Sequence, residues 1–170
     1  WQPLEEDLPR ADLTALPFVT IDGASTKDMD DALYVAPHAE GWLLTVAIAD
    51  PTAYVAPGST IDDEAAKRAF TVYLPGRNIP MIPRTLSDEL CSLKGGEPRH
   101  TLCCELLIRR DGSIAPDFRF FAATICSQGR LIYDQVSDLL EHGQAEGFNP
   151  SATTLEQIRA LEAITAARNA

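Results

Sequence analysis

The chain has 170 residues, 45% of them hydrophobic and 23% charged, which suits one domain with a sizeable core. Fourteen basic against twenty-five acidic side chains give a net charge of −11, which taken alone argues against a nucleic-acid partner. No apolar run approaches the roughly 20 residues that cross a bilayer, so a helical membrane protein is excluded and a soluble, cytoplasmic domain with no membrane contact is expected.

Charge is unevenly distributed: residues 67–130 hold ten basic and six acidic side chains, whereas residues 1–31 hold eight acidic and two basic. Cys91, Cys103, Cys104 and Cys126 have no C-x-x-C spacing and read as reduced core thiols. Residues 1–16, "WQPLEEDLPRADLTAL", are acidic, carry two prolines and lack a clean period, so they are expected to be a linker from a preceding domain. Opening on Trp1 and without a signal-peptide pattern, the chain reads as a piece of something longer.

"PFVTI" is β-branched and aromatic and predicts a strand ending at Asp22, followed by the small turn residues Gly23 to Thr26. "DALYVAP" and "WLLTVAIAD" flank "HAEG" and predict a hairpin whose nearly continuous apolar second arm is buried on both faces. Asp50 then caps a turn with Pro51. Ser59 or Thr60 caps a helix through "IDDEAAKRAF", with acids in the first turn and Lys67 and Arg68 in the last. The proline-rich stretch that follows offers Ser87 as the cap of a short helical turn, and Arg77 and Arg84 read as surface residues there.

"HTLCCELLIRR", a turn at Asp111-Gly112 and "FRFFAATICS" predict a second hairpin. The period then changes: "YDQVSDLLEHG" and "TTLEQIRALEAITAARN" predict two helices, the second with Thr153 and Glu156 in capping-box register. Strands followed by helices give an α+β fold, a mixed, largely antiparallel sheet with flanking helices.

The stretch "FVTIDGASTKDMDDALYV" gathers Asp22, Asp28, Asp30 and Asp31 at a strand-to-loop junction. At 4 Å and an effective dielectric near 20, like charges repel by roughly 4 kcal/mol, so such a loop either faces water or holds a cation. Carboxylates are hard oxygen ligands suited to Mg²⁺ or Mn²⁺, with no nearby His or Cys to favour zinc. The intervals of six, two and one exclude an EF-hand. Four carboxylates balance two divalent ions, which together stabilise an in-line phosphoryl displacement. Adjacent Asp30 and Asp31 point to opposite faces of an extended strand, so both line one site only if the chain curls there. Spacing alone does not distinguish a metal site from a solvated acidic turn.

"TIDGASTKDMDDALYV" resembles the catalytic signature of the ribonuclease II (RNB) family, processive magnesium-dependent 3′-to-5′ exoribonucleases. "VAIADPTAYV", "AFTVYLPGRNIPMIPRTLSDELCSL" and "FFAATICSQGRLIYDQVSD" are similar to further family blocks in family order, so the resemblance spans roughly residues 10–140. The D-M-D-D and A-D-P-T-A-Y forms lie nearer the ribonuclease II branch than members whose blocks usually read D-F-D-D and A-D-V.

The resemblance implies that residues 17–170 are the N-terminal half of an RNB catalytic domain, incomplete as it stands. It implies Asp22, Asp28, Asp30 and Asp31 as metal positions, Asp22 and Asp31 the more direct ligands, and Asp30 as the residue on which hydrolysis depends most. Tyr73 and Tyr133 match family aromatics that contact RNA, where stacking grips any base without reading sequence. Lys27 departs from the family, which often has an acid there. The implied partners are single-stranded RNA, the rest of the same catalytic domain and flanking oligonucleotide-binding modules, and the implied products are nucleoside 5′-monophosphates. The rival expectation is a metal-stabilised RNA-binding or regulatory fragment without turnover of its own.

Overall fold

The structure is a computed structural model that describes residues 2–4 and 9–170; Trp1 and residues 5–8, part of the expected linker, lie outside the described residues. Within that stretch Ala11–Leu13 (β1) forms a strand, pairing in parallel with residues 123–125. Three residues show no readable period, so this strand is decided by what lies beside it rather than by propensity. The strand expected from "PFVTI" is Val19–Asp22 (β2), and it ends where expected.

Asp31–His38 (β3) and Gly41–Ala49 (β4) form the first expected hairpin, in register from Asp31 opposite Ile48 to His38 opposite Gly41. The expectation that its second arm is buried on both faces is not met. Gly41, Thr45 and Ala47 are buried, but Ile48 on the other face is 46% exposed, because no helix covers the sheet there. Asp50 caps a 3-10 turn, Pro51–Ala53, accepting from the Thr52 N–H at 3.0 Å, and also pairs with Arg10 at 2.7 Å.

Thr60–Arg68 (α1) is capped by Ser59, whose hydroxyl accepts from the Asp62 N–H. The proline-rich stretch folds into a small hairpin, Val72–Leu74 (β5) with Arg77–Ile79 (β6), which periodicity had not shown. The short helical turn exists as a single π-helical turn, Thr85–Leu90, but Ser87 is not its cap: it lies inside the turn, and its hydroxyl donates to Asp88.

Pro98–Arg109 (β7) and Ile114–Cys126 (β8) are the second hairpin, turning at Asp111-Gly112. Gly129–Ile132 (β9) then pairs in parallel with β2 and leads into Tyr133–His142 (α2) and Ala152–Asn169 (α3). The cap of α3 is Ser151, accepting from the Thr154 N–H, so Thr153 already lies inside the helix.

Seven strands thus form one sheet in the order β1-β8-β7-β4-β3-β2-β9, parallel at its two margins and antiparallel between, beside the separate β5-β6 pair. This is the α+β, largely antiparallel arrangement expected. One core gathers Phe18, Ala32, Ala47, Leu93, Cys103 and Ile125; two further clusters lie under α3, around Val19, Leu131 and Ile158 and around Val35, Ile108 and Ile164. All four cysteines are free, with Cys91 and Cys103 buried. Among the described residues no helix is long and apolar enough to cross a membrane.

Buried Gln157 docks α3 to the sheet. Its amide accepts from the Val35 N–H at 2.8 Å and donates to the Val35 carbonyl at 3.1 Å. The pairing of β2 with β3 is confined to Val19 opposite Leu33, so Gln157 satisfies backbone groups that β2 leaves open. The early parting of β2 and β3 also makes room for the acidic loop.

Candidate functional site

The loop runs from Asp22, the last residue of β2, to Asp31, the first of β3. Two anchors fix it. On one side the Arg130 guanidinium, from β9, donates to the carbonyls of Gly23, Ala24 and Thr26 at 3.2, 2.8 and 3.1 Å. On the other, the Ser92 hydroxyl donates to the Lys27 carbonyl at 2.7 Å and accepts from the Met29 N–H, while the Leu93 N–H donates to the Met29 carbonyl. Met29 is therefore held in the core, and its neighbours Asp28 and Asp30 are left on the outer side. The Asp30 carbonyl accepts from the Ala49 N–H at 2.8 Å, extending the hairpin ladder by one residue.

The four carboxylates share one electrostatic field. Burial pushes the Asp22 carboxyl above its ordinary range, and the charges of Asp31 and Asp30 push it further, with Arg130 opposing them. Asp30 is likewise raised, by burial first and then by Asp31 and Asp28. Asp22 Oδ2 is buried and has no hydrogen-bond partner; Thr20, two residues back on the same face, lowers the carboxyl's pKa but makes no bond of acceptable geometry. An ionised oxygen in that position lacks water and has only the equally unpaired Thr20 hydroxyl near it, a setting that favours a cation.

Asp28 is held differently. The Tyr73 hydroxyl, from β5, donates to Asp28 Oδ2 at 2.8 Å, and this bond, with burial and the nearby acids, pushes the phenol up to about 12. Tyr73 itself remains 68% exposed. A cavity of about 220 Å³ opens beside it, lined by Asp28, Asp30, Ile48, Tyr73, Met81 and Cys91 among others.

The structure thus brings together Asp22, Asp28, Asp30, Asp31 and Tyr73. Tyr133, 61% exposed, follows Ile132, the register partner of Asp22, but no bond joins it to the acids. Among the described residues, no three carboxylate, histidine or cysteine groups converge closely enough to cage an ion in their present positions. The donor set nevertheless fits a hard divalent ion: it is all oxygen, and one of its buried oxygens is unpartnered. Sequence reasoning missed Arg130 and Ser92, whose contributions are hydrogen bonds to main-chain carbonyls about 100 and 65 residues distant. Asp50, paired with Arg10, stands apart from the acidic cluster as expected.

The RNB domain matches residues 10–170. Exoribonuclease 2 of Aeromonas hydrophila is 62% identical over 169 residues, covering 99% of this chain and 25% of its own length. Exoribonuclease 2 of Vibrio cholerae is 57% identical over 170 residues, with the same coverage. RNase R of Mycoplasma genitalium, solved in complex with double-stranded RNA, superposes with a TM-score of 0.87 at 38% identity, covering 93% of this chain and 28% of that one. The chain therefore spans about a quarter of the length of the curated relatives it matches. With a domain match across nearly all its length and the acidic loop set on the same fold, the chain belongs to the RNB domain family.

Proposed function

We propose that the protein carrying this chain hydrolyses single-stranded RNA processively from its 3′ end and releases nucleoside 5′-monophosphates, with Mg²⁺, or alternatively Mn²⁺, held by Asp22, Asp28, Asp30 and Asp31. The observation that carries this reading is the unpartnered buried Asp22 oxygen within a field shared by four carboxylates, one of them tied to an exposed tyrosine. Bound divalent ions supply the positive charge that lets a phosphodiester approach these acids and lower the pKa of an attacking water.

The chain's own residues supply the rest. The exposed ring of Tyr73 offers a stacking platform while its hydroxyl fixes Asp28, and Tyr133 offers a second platform beside β9. Asp30, raised by burial and its neighbours, is the residue on which hydrolysis depends most. Water adds to the last phosphorus, the bond to the 3′ oxygen breaks, the shortened strand keeps a 3′ hydroxyl, and the phosphate leaves on the mononucleotide.

In this reading residues 17–170 are the bulk of the first half of the parent's catalytic domain, the approach from a preceding domain through residues 1–16 already contributes β1 to its sheet, and the remaining half and flanking oligonucleotide-binding modules complete the RNA path in the cytoplasm. The isolated 170-residue chain is expected to be different. The rival reading for it alone is a metal-stabilised RNA-binding or regulatory fragment without turnover of its own. Incubating 5′-labelled RNA and magnesium with the chain and with the parent separates the two, since stepwise shortening marks an enzyme and a shift without shortening marks a binding fragment. In the parent, Asp30→Asn is expected to abolish shortening while RNA binding survives. Turnover in that variant would remove Asp30 from its role.

A further inference from the structure

A second cavity, of about 590 Å³, lies between the β5-β6 hairpin and the start of the acidic loop, sharing Asp28 and Tyr73 with the site described above. Its other walls bring in three cations, Lys27, Arg77 and Arg84. They differ in what they are doing. The Arg84 guanidinium is committed, donating to the Asn78 carbonyl and side chain and pairing with Asp88 at 3.3 Å. Lys27 and Arg77 are exposed and, among the described residues, make no ion pair or side-chain hydrogen bond.

Among the described residues, seven of the fourteen basic side chains are engaged in ion pairs with the chain's own acids. Two that are not converge on one groove, whose remaining acids are both occupied: Asp28 accepts from Tyr73, and Asp88 from Arg84 and Ser87. In a chain of net charge −11 this groove sets three cations against two acids, a local excess of positive charge, beside an exposed aromatic ring. A phosphate attached to a base has that combination of needs, an aromatic face for one end and charge-assisted donors for the other.

We propose that this groove takes a nucleotide phosphate, with Lys27 and Arg77 as its cationic contacts and Tyr73 as the platform for the attached base. The inference rests on the reading of Tyr73 as an RNA contact and deepens it. Lys27 then answers two demands, because its carbonyl accepts from Ser92 to hold the loop while its side chain lines the ligand groove. The phosphate comes from one of two sources, the backbone of the strand or the freed mononucleotide, and the groove's chemistry serves both.

The test measures binding of a short oligoadenylate and of 5′-AMP to the protein in EDTA, where turnover is silenced. Wild type is compared with Lys27→Gln/Arg77→Gln and, separately, with Tyr73→Ala. The double variant is expected to bind the oligonucleotide about tenfold or more weakly, and the slope of log affinity against log salt should become shallower by about 0.7, as the loss of one single-strand phosphate contact requires. A parallel loss for 5′-AMP assigns the groove to the freed nucleotide; a loss confined to the oligonucleotide assigns it to the strand. Unchanged affinity and slope in the double variant overturn the proposal, and if Tyr73→Ala still weakens binding, the reading of Tyr73 survives that failure. If Tyr73→Ala is also without effect, both fall together.

Discussion

Asp22 has a buried carboxylate oxygen with no hydrogen-bond partner, only the Thr20 hydroxyl nearby, and two further acids bear on it. Its folded-state pKa is raised, so its favourable contribution is present below the ordinary carboxylate pKa and is lost as pH rises through the raised value. At neutral pH without metal the charge on Asp22 is a cost to the fold. Asp22→Asn is therefore expected to raise the melting temperature of the metal-free chain at pH 7, by less than the roughly 2–4 °C that about 1 kcal/mol produces in a domain of this size, because water screens a partly exposed carboxylate. The gain should shrink towards zero near pH 3, where wild-type Asp22 is protonated. Thermal melts in EDTA and with added Mg²⁺ check both halves: wild type should gain stability from the ion by linkage, and the variant should gain far less. A variant that melts lower than wild type in EDTA at pH 7 would show that the Asp22 charge is satisfied in a way this geometry does not contain. The aspartates were legible in the sequence because their spacing after a strand is itself the feature. Arg130 was not, since a side chain that donates to distant main-chain carbonyls leaves no period to read.

At the scale of elements, the long strands and helices were legible, as was four-residue β2 from its β-branched run, and the other short strands were not. The two hairpins announce themselves by alternation and by turn residues, and α1 by its cap and charge gradient. β1, β5, β6 and β9 are three or four residues each, too short for periodicity, and are set by the strand or hairpin partner beside them. The Asp111-Gly112 turn was expected as a hairpin signal, yet its closest contact is with α3. Gly112 has φ of 79°, the Arg168 guanidinium donates to its carbonyl, and a β-carbon there would sit 2.1 Å from the Ala167 carbonyl oxygen. Gly112→Ala must therefore adopt a left-handed backbone and also push α3 away from the turn. The expected cost is about 2–4 kcal/mol, combining about 1–2 for the backbone with a comparable cost of overpacking. Urea unfolding should show it as a lowered midpoint with an unchanged slope. A loss below about 0.5 kcal/mol would mean that α3 does not lie against this turn in solution, because ordinary surface substitutions fall in that range.

For the whole molecule, composition showed how much apolar surface exists but not which parts a second layer covers. The nearly continuous apolar run of β4 is consistent with burial on both sides, yet α3 covers one end of the outer face and leaves the rest open. Register rows show what is left. Asp31, Ile48, Leu102 and Ala122 lie side by side across β3, β4, β7 and β8, and the next row runs through Leu33, Val46, Cys104 and Phe120. Phe118 and Phe120 stand on this face 59% and 66% exposed, packed edge-on to each other with ring centres 5.7 Å apart. An exposed apolar sheet face with paired aromatic rings binds hydrophobic dyes, so the folded 170-residue chain is expected to enhance ANS fluorescence under native conditions. Partial unfolding would produce the same signal, and one variant separates the causes. Phe118→Ser/Phe120→Ser removes most of the aromatic surface but little buried contact, so dye fluorescence should fall by half or more while stability drops only by about 0.5–1.5 kcal/mol for the lost ring pair. If the dye signal instead persists in this variant and disappears only when stability is raised by Mg²⁺, it comes from loosened core packing. Because Asp31 begins the first exposed row, the acidic cluster lies at the rim of this face, and the same dye experiment with Mg²⁺ present reports whether ordering the cluster alters the apolar surface beside it.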